Sequence, residues 1–258
     1  MKRVILILSF CLFTMGTAGA KEWKDPVTGM EFVFVPGGSF EMGCHAKAGK
    51  CDSDEKPVRP VRLDGFWIAK HEVTQGQWKR IMGGNPSRFK KGDNYPVEQV
   101  SWDDVREFIR RLNAKSPATF ALPSEAQWEY ACRSGGKPFR VGTSKGYWIN
   151  APDLRLMSGN SWGKKDGYEH TAPVGSFPPN KLGLHDMSGN VWEWVRDKFA
   201  SYRGASTENP VHEGPGDRRV RRGGSWDNES VHIRCSYRNY SPPYDSDNYI
   251  GFRLLKIK

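Results

Sequence analysis

Glycine and proline punctuate this chain so often that long regular elements have little room. With 28 glycines and 17 prolines among 258 residues, usage above the globular average forces much of the backbone into turns and irregular loops. A core under such a backbone must come from large side chains. Ten tryptophans meet that need, since each buried aromatic removes roughly 150–250 Å² from water.

The first twenty residues read as a secretory signal, with Lys2 and Arg3 as its basic start, Val4 to Met15 as its apolar run and Ala18-Gly19-Ala20 as its cleavage site. The apolar run is shorter than the roughly 20 residues a membrane span needs. The chain is therefore expected to divide into a signal over 1–20 and one domain over 21–258, periplasmic or secreted, with no stable membrane anchor after cleavage. Two positive charges leave with the signal, so the net charge of +10 falls to +8. Export makes nucleic acid an unfit partner for that basic surface, and the cluster Arg218, Arg219, Arg221, Arg222 is read as the solvated face of a strand, a phosphate or carboxylate contact being the alternative. Cys11 lies in the signal, which leaves Cys44, Cys51, Cys132 and Cys235. Four cysteines in an oxidising compartment suggest two disulfides with three possible connectivities. Cys44 and Cys51 flank a short polar loop and are natural partners, which would pair Cys132 with Cys235 across a long loop, a crosslink of about 5 kcal/mol on the chain-entropy model.

Phe32 to Val35, Pro36-Gly37-Gly38 and Ser39 to Met42 predict a β-hairpin, and Val61 to Ile68 a further strand. Three helices carry start signals: Thr74 with Gln77, Ser101 ahead of Trp102, Val105, Phe108, Ile109 and Leu112 at helical spacing, and Ser124 with Gln127. Gly83-Gly84 ends the first. Past Gly135 the pattern gives way to long loops with short strand candidates at 190–195, 220–226 and 250–255. Such loops in a compact domain need a function, crosslinks or a metal to hold them.

The strings FVFVPGGSFEMG (32–43), KHEVTQGQW (70–78), PVEQVSWDDV (96–105), LPSEAQWEYACRSGG (122–136), TAPVGSFPPNKLGLHDMSGNVWEWVRD (171–197), RRGGSWDN (221–228) and GFRLL (251–255) resemble, in order and spacing, the formylglycine-generating enzymes, or sulfatase-modifying factors. The resemblance implies an α+β fold related to C-type lectins, loop-rich, poor in regular secondary structure and stabilised by calcium. It also implies the Cys132–Cys235 disulfide. One calcium site carries over to Asp186, Gly189, Val191 and Glu193, the other to Asn160, Ser161, Asp166 and Tyr168, a mixture of carboxylates, an amide and carbonyls that suits a hard cation.

The family's oxidases hold copper(I) on two cysteines set five apart after the GGS segment, and soft thiolates are what that ion requires. Here the segment reads GGSWDNESVHIRCSYR. Anchored on Gly223-Gly224-Ser225 the two positions are Asn228 and Ile233; anchored on Cys235 they are Ser225 and Ser230. Neither alignment supplies a cysteine, so copper is not expected. Trp192 and Ser225 match the floor of the family's active site, but core packing and a turn explain them better, and no catalytic residue is assigned. The six histidines show no paired ligand spacing, and neither a Gly-x-Ser-x-Gly elbow nor a phosphate loop is present. The resulting expectation is an exported binding or maturation module whose groove holds a peptide or protein, with Tyr237, Tyr240, Tyr244, Tyr249, Arg234 and Arg238 as candidate lining. A different oxidoreductase-type modification of a peptide or protein, like that of the pyoverdine-maturation members, is the alternative. Formylglycine generation on exported sulfatases ranks third.

Overall fold

The computed structural model describes residues 21–45, 51–143 and 166–257, so the expected signal and the calcium candidates Asn160 and Ser161 lie outside the described residues. The three helices form where their local signals put them. Helix α1 (Gln75–Met82) starts at Thr74, whose hydroxyl accepts from the Gln77 N–H while the Gln77 side chain accepts from the Thr74 N–H at 2.9 Å. Gly83 ends it with φ of 89°, a left-handed turn that a Cβ would strain. Helix α2 (Trp102–Asn113) begins on a reciprocal cap between Ser101 and Asp104 and buries Trp102, Val105, Phe108 and Leu112 along one stripe. Helix α3 (Glu125–Cys132) is capped by Ser124 and Gln127, and all its residues but Gln127 are buried, including Glu125 and Glu129.

The expected hairpin over 32–42 does not form. Strand β2 (Glu31–Val35) pairs with β1 (Glu22–Lys24) and with β5 (Phe66–Ala69), whereas β3 (Gly38–Met42) pairs with β4 (Arg59–Leu63). Val35 lies opposite Phe66 and Gly38 opposite Leu63. The two runs are thus one long antiparallel ribbon that bends at Pro36-Gly37 on one strand and Asp64-Gly65 on the other. The bend needs glycine: a Cβ on Gly37 would meet the Leu63 carbonyl at 2.5 Å, and one on Gly65 would meet the Phe34 ring at 2.7 Å. A proline followed by glycines mimics a hairpin turn in sequence, but here it makes a corner between two sheets.

The ribbon's inner half belongs to a five-stranded sheet in the order β1-β2-β5-β11-β6, with β6 at Phe120–Ala121 and β11 at Leu255–Lys256. A four-stranded sheet has the order β10-β7-β8-β9, formed by β10 (Ile250–Phe252), β7 (Trp192–Lys198), β8 (Arg219–Arg222) and β9 (Arg238–Ser241). Strand β7 runs parallel to β10 and antiparallel to β8. Trp194 pairs with Arg221 and Glu193 with Arg222, so side-chain alternation gives the sheet two different faces. One face presents Trp192, Trp194, Ile250 and Phe252 to α1 and α2, where Trp78 and Phe108 stack at 5.1 Å and Phe252 meets both edge-on. The other presents Glu193, Val195, Asp197 and Arg222 to α3. Buried indole N–H groups are satisfied: Trp102 donates to the Val195 carbonyl and Trp194 to that of Val100, at 2.9 and 3.0 Å.

The disulfides are Cys44–Cys51 and Cys132–Cys235. The second joins the end of α3 to the segment entering β9, as the resemblance implied. The arginine cluster is not a solvated face. Arg222 is fully buried, Arg221 is 9% exposed, Arg219 lies half-buried with its guanidinium 3.7 Å from the Trp102 ring, and only Arg218 is exposed. Alternation alone sends Arg221 and Arg222 to opposite faces, and both faces are covered.

Candidate ligand site at the end of the four-stranded sheet

All four strands of this sheet reach the same edge: β7, β9 and β10 begin there and β8 ends there. The residues on that line are Trp192, Arg221, Tyr237 and Tyr249. Arg221 sets its guanidinium carbon 5.4 Å from the Trp192 ring and 5.7 Å from the Tyr249 ring. Tyr237 packs on Trp192 at 6.0 Å and on His232 at 4.9 Å. Burial pushes the Tyr237 and Tyr249 phenols up, aided for Tyr249 by its hydrogen bond to Asp247 and for Tyr237 by Asp52 and Asp54. Trp226 borders the same end, its ring edge-on to Phe89 at 5.6 Å and to His170 at 4.7 Å.

Ser225 follows β8 by three residues and is fully buried. Its N–H and its hydroxyl both donate to the Asn228 side-chain oxygen at 2.9 Å, which makes it a turn residue. Asn228 stands where one alignment places a copper thiolate. Ile233, at the second such position, is fully buried against Val141. Both positions are occupied by structural work, a turn-closing amide and an aliphatic plug. Trp192, 2% exposed, is part of the aromatic core.

Arg234 and Arg238 do not line an outer surface as expected. Arg234 forks onto Glu55, both bonds 2.6 Å, and Arg238 onto Glu125 at 2.6 and 2.8 Å. Tyr244 is 75% exposed, while Tyr240 packs on Phe199 at 4.1 Å.

A second cluster lies where 186–193 meets the start of α1. Asp186, in the left-handed region at φ 59°, accepts from the Gly175 N–H at 2.8 Å. Glu193 accepts from Arg253 through both oxygens and from the Trp128 indole, all at 2.7 Å. Glu72 accepts from Asn190 and from the Val191 N–H, and burial together with the charges of Asp186 and Glu193 raises its pKa well above its ordinary value. Beside it His71 stacks on His185 at 4.8 Å, and burial pushes it down to about 3. Three carboxyl groups, Glu72 favouring its neutral form, thus face one guanidinium. The hard oxygens and the excess negative charge fit calcium, although Glu193 would share its carboxylate with Arg253. Among the described residues no three Asp, Glu, His or Cys side chains converge on a metal position, so the carbonyls of Gly189 and Val191 would have to complete the shell. Of the other calcium set, Asp166 accepts from the Tyr168 N–H at 2.9 Å. Sequence reading missed Glu72 and the His71–His185 pair, and it preferred a solvated face to a carboxylate contact for Arg221. For Arg221 the signal was there, because two adjacent arginines in a strand cannot both face solvent when the sheet is covered on both sides.

Residues 19–258 match the sulfatase-modifying factor enzyme 1-like domain. The chain belongs to the sulfatase-modifying factor family. This family member is 36% identical to a formylglycine-generating enzyme of Streptomyces coelicolor, over 86% of its own length and 87% of that relative. It is 31% identical to the chaperone protein LppX of Paenibacillus barcinonensis, over 88% and 90%. Among solved structures, PvdO from Pseudomonas aeruginosa superposes with a TM-score of 0.80 at 31% identity, covering 92% of this sulfatase-modifying factor relative and 98% of PvdO.

Proposed function

We propose that this protein is an exported sulfatase-modifying-factor-like module that binds or matures a peptide or protein without copper-dependent cysteine oxidation. The observation that carries the reading is the fate of the thiols: every cysteine among the described residues is disulfide-bonded, and Asn228 and Ile233 have turn and packing roles where one alignment places the oxidases' thiolate pair, the other alignment giving Ser225 and Ser230. The likeness to a protein named as a chaperone supports a maturation role. Asp186 and Glu193 through carboxylates, and Gly189 and Val191 through carbonyls, would hold a structural calcium ion. The test is to incubate the protein with copper and a peptide containing Cys-x-Pro-x-Arg and to follow the cysteine by mass spectrometry. An unchanged cysteine is expected, and conversion to formylglycine overturns the reading.

A second reading, a different oxidoreductase-type modification of a peptide or protein, is favoured by the retention of Trp192 and Ser225, residues that match the floor of the family's active site. Product analysis of a candidate peptide before and after incubation separates it from binding alone.

A further inference from the structure

Six arginines are buried among the described residues, and five have a carboxylate partner. Arg133 and Arg222 hold Glu129, Arg238 holds Glu125, Arg234 holds Glu55 and Arg253 holds Glu193. Arg221 differs from all of them. It is 9% exposed and no carboxylate among the described residues lies within ion-pairing distance; its Nε, like that of Arg222, has no hydrogen-bond partner. It hydrogen-bonds the Tyr249 phenol, which is itself tied to Asp247, and the charges of Asp245 and Asp247 act on it from beyond ion-pairing distance. Leaving a buried guanidinium without a counter-ion is costly in a protein that pairs its other buried arginines. Position adds a second observation, since Arg221 sits on the line where four strands reach one edge, between the faces of Trp192 and Tyr249.

We propose that Arg221 is the anion-reading residue of this site, and that the ligand presents a carboxylate to the guanidinium fork between two aromatic faces. A planar carboxylate matches the two parallel N–H donors of arginine, and the flanking rings exclude water from that pair. The carboxylate could come from an acidic side group or from the free C-terminus of a peptide. The inference rests on the peptide-binding reading above but is tested separately from it.

The first arm follows thermal unfolding in sodium acetate, sodium phosphate and sodium chloride at matched ionic strength. Acetate is expected to raise the midpoint of the wild type above its value in chloride and to leave Arg221→Gln unmoved. Equal midpoints in acetate and chloride overturn the proposal, as does an equal acetate shift in Arg221→Gln; phosphate exceeding acetate overturns the assignment to a planar carboxylate. If Arg221→Gln does not fold, Arg221→Lys, which keeps the charge and loses the fork, takes its place and is expected to show a smaller shift. The second arm measures fluorescence anisotropy of three labelled hexapeptides: a neutral amidated one, the same with one internal Asp, and the same with a free C-terminal carboxylate. At least one carboxylate peptide is expected to bind about tenfold tighter than the neutral one, a preference lost in the variant. Equal binding of all three sinks the carboxylate inference and leaves the peptide reading intact. No binding of any peptide, with the acetate shift intact, sinks the peptide reading and leaves the anion site.

Discussion

The two faces of the four-stranded sheet are built from the same strands and solve burial in opposite ways. Toward α1 and α2, Trp78, Phe108 and Phe252 fill space with ring contacts that need no partner of a particular sign. Toward α3, Glu125 and Glu129, one helical turn apart, interlock with Arg222, Arg238 and Arg133. The aromatic face is held by volume and the ionic face by pairing, so the first should yield gradually to substitution and the second abruptly.

The largest expected effect comes from Glu129→Ala. Its carboxylate receives Arg133, Arg222 and the Gly43 N–H, and removing it leaves the buried Arg133 without a carboxylate and Arg222 with only its 3.4 Å contact to Glu125. A loss of about 3–5 kcal/mol in urea unfolding is expected; a loss no greater than that of a surface substitution would erase the contrast between the faces. Next is a pH effect at Asp197, whose acid is pushed up to about 7 by burial and by the charge of Glu125. A carboxyl with a raised folded pKa holds its proton more tightly folded than unfolded. Its contribution is therefore fully present below about pH 4 and lost as pH rises through about 7. Asp197→Asn stays neutral throughout, so wild type should lose stability relative to the variant across that window, by on the order of 4 kcal/mol at most. Parallel curves would show that the ionic face tolerates this charge.

A smaller effect is expected from chelation. If calcium occupies the Asp186–Glu193 set at a concentration a hundredfold above its dissociation constant, removing it costs about 3 kcal/mol and lowers the melting temperature. Identical melts with and without chelator remove calcium from the account of this fold. The smallest effect separates two neighbours. Arg219→Ala, which loses a cation–ring contact with Trp102, should cost under about 1 kcal/mol, whereas Arg222→Ala on the ionic face should cost several times more. Equal losses would show that strand position and not the face governs these residues.

What could be read from the amino-acid order follows the range of the interactions involved. Helix starts were legible because Thr74, Ser101 and Ser124 cap residues three positions away. The disulfides were legible because few pairings are open to four cysteines. The corner at Pro36-Gly37 was not, because it depends on backbone approach from Leu63 to Gly65. The buried arginines were misread because a charged strand looks solvated until helix α3 covers it with acids more than 90 residues away in sequence. At the candidate site, Trp192 and Ser225 were found by resemblance alone, while the unpaired state of Arg221 could only be seen once every other buried arginine had been matched to its acid.

The interlocked charges on α3 also bear on how such a protein diverges. Among the described residues Arg133 has Glu129 as its carboxylate partner and Arg238 has Glu125, so neither glutamate can change alone without stranding an arginine in the interior. Descendants must keep the set whole or exchange several members together. The rings opposite carry no such obligation and can be traded one at a time for others of similar volume. The helix and strands around α3 should therefore stay nearly fixed in lineages whose other face, and the ligand edge it borders, have been remade.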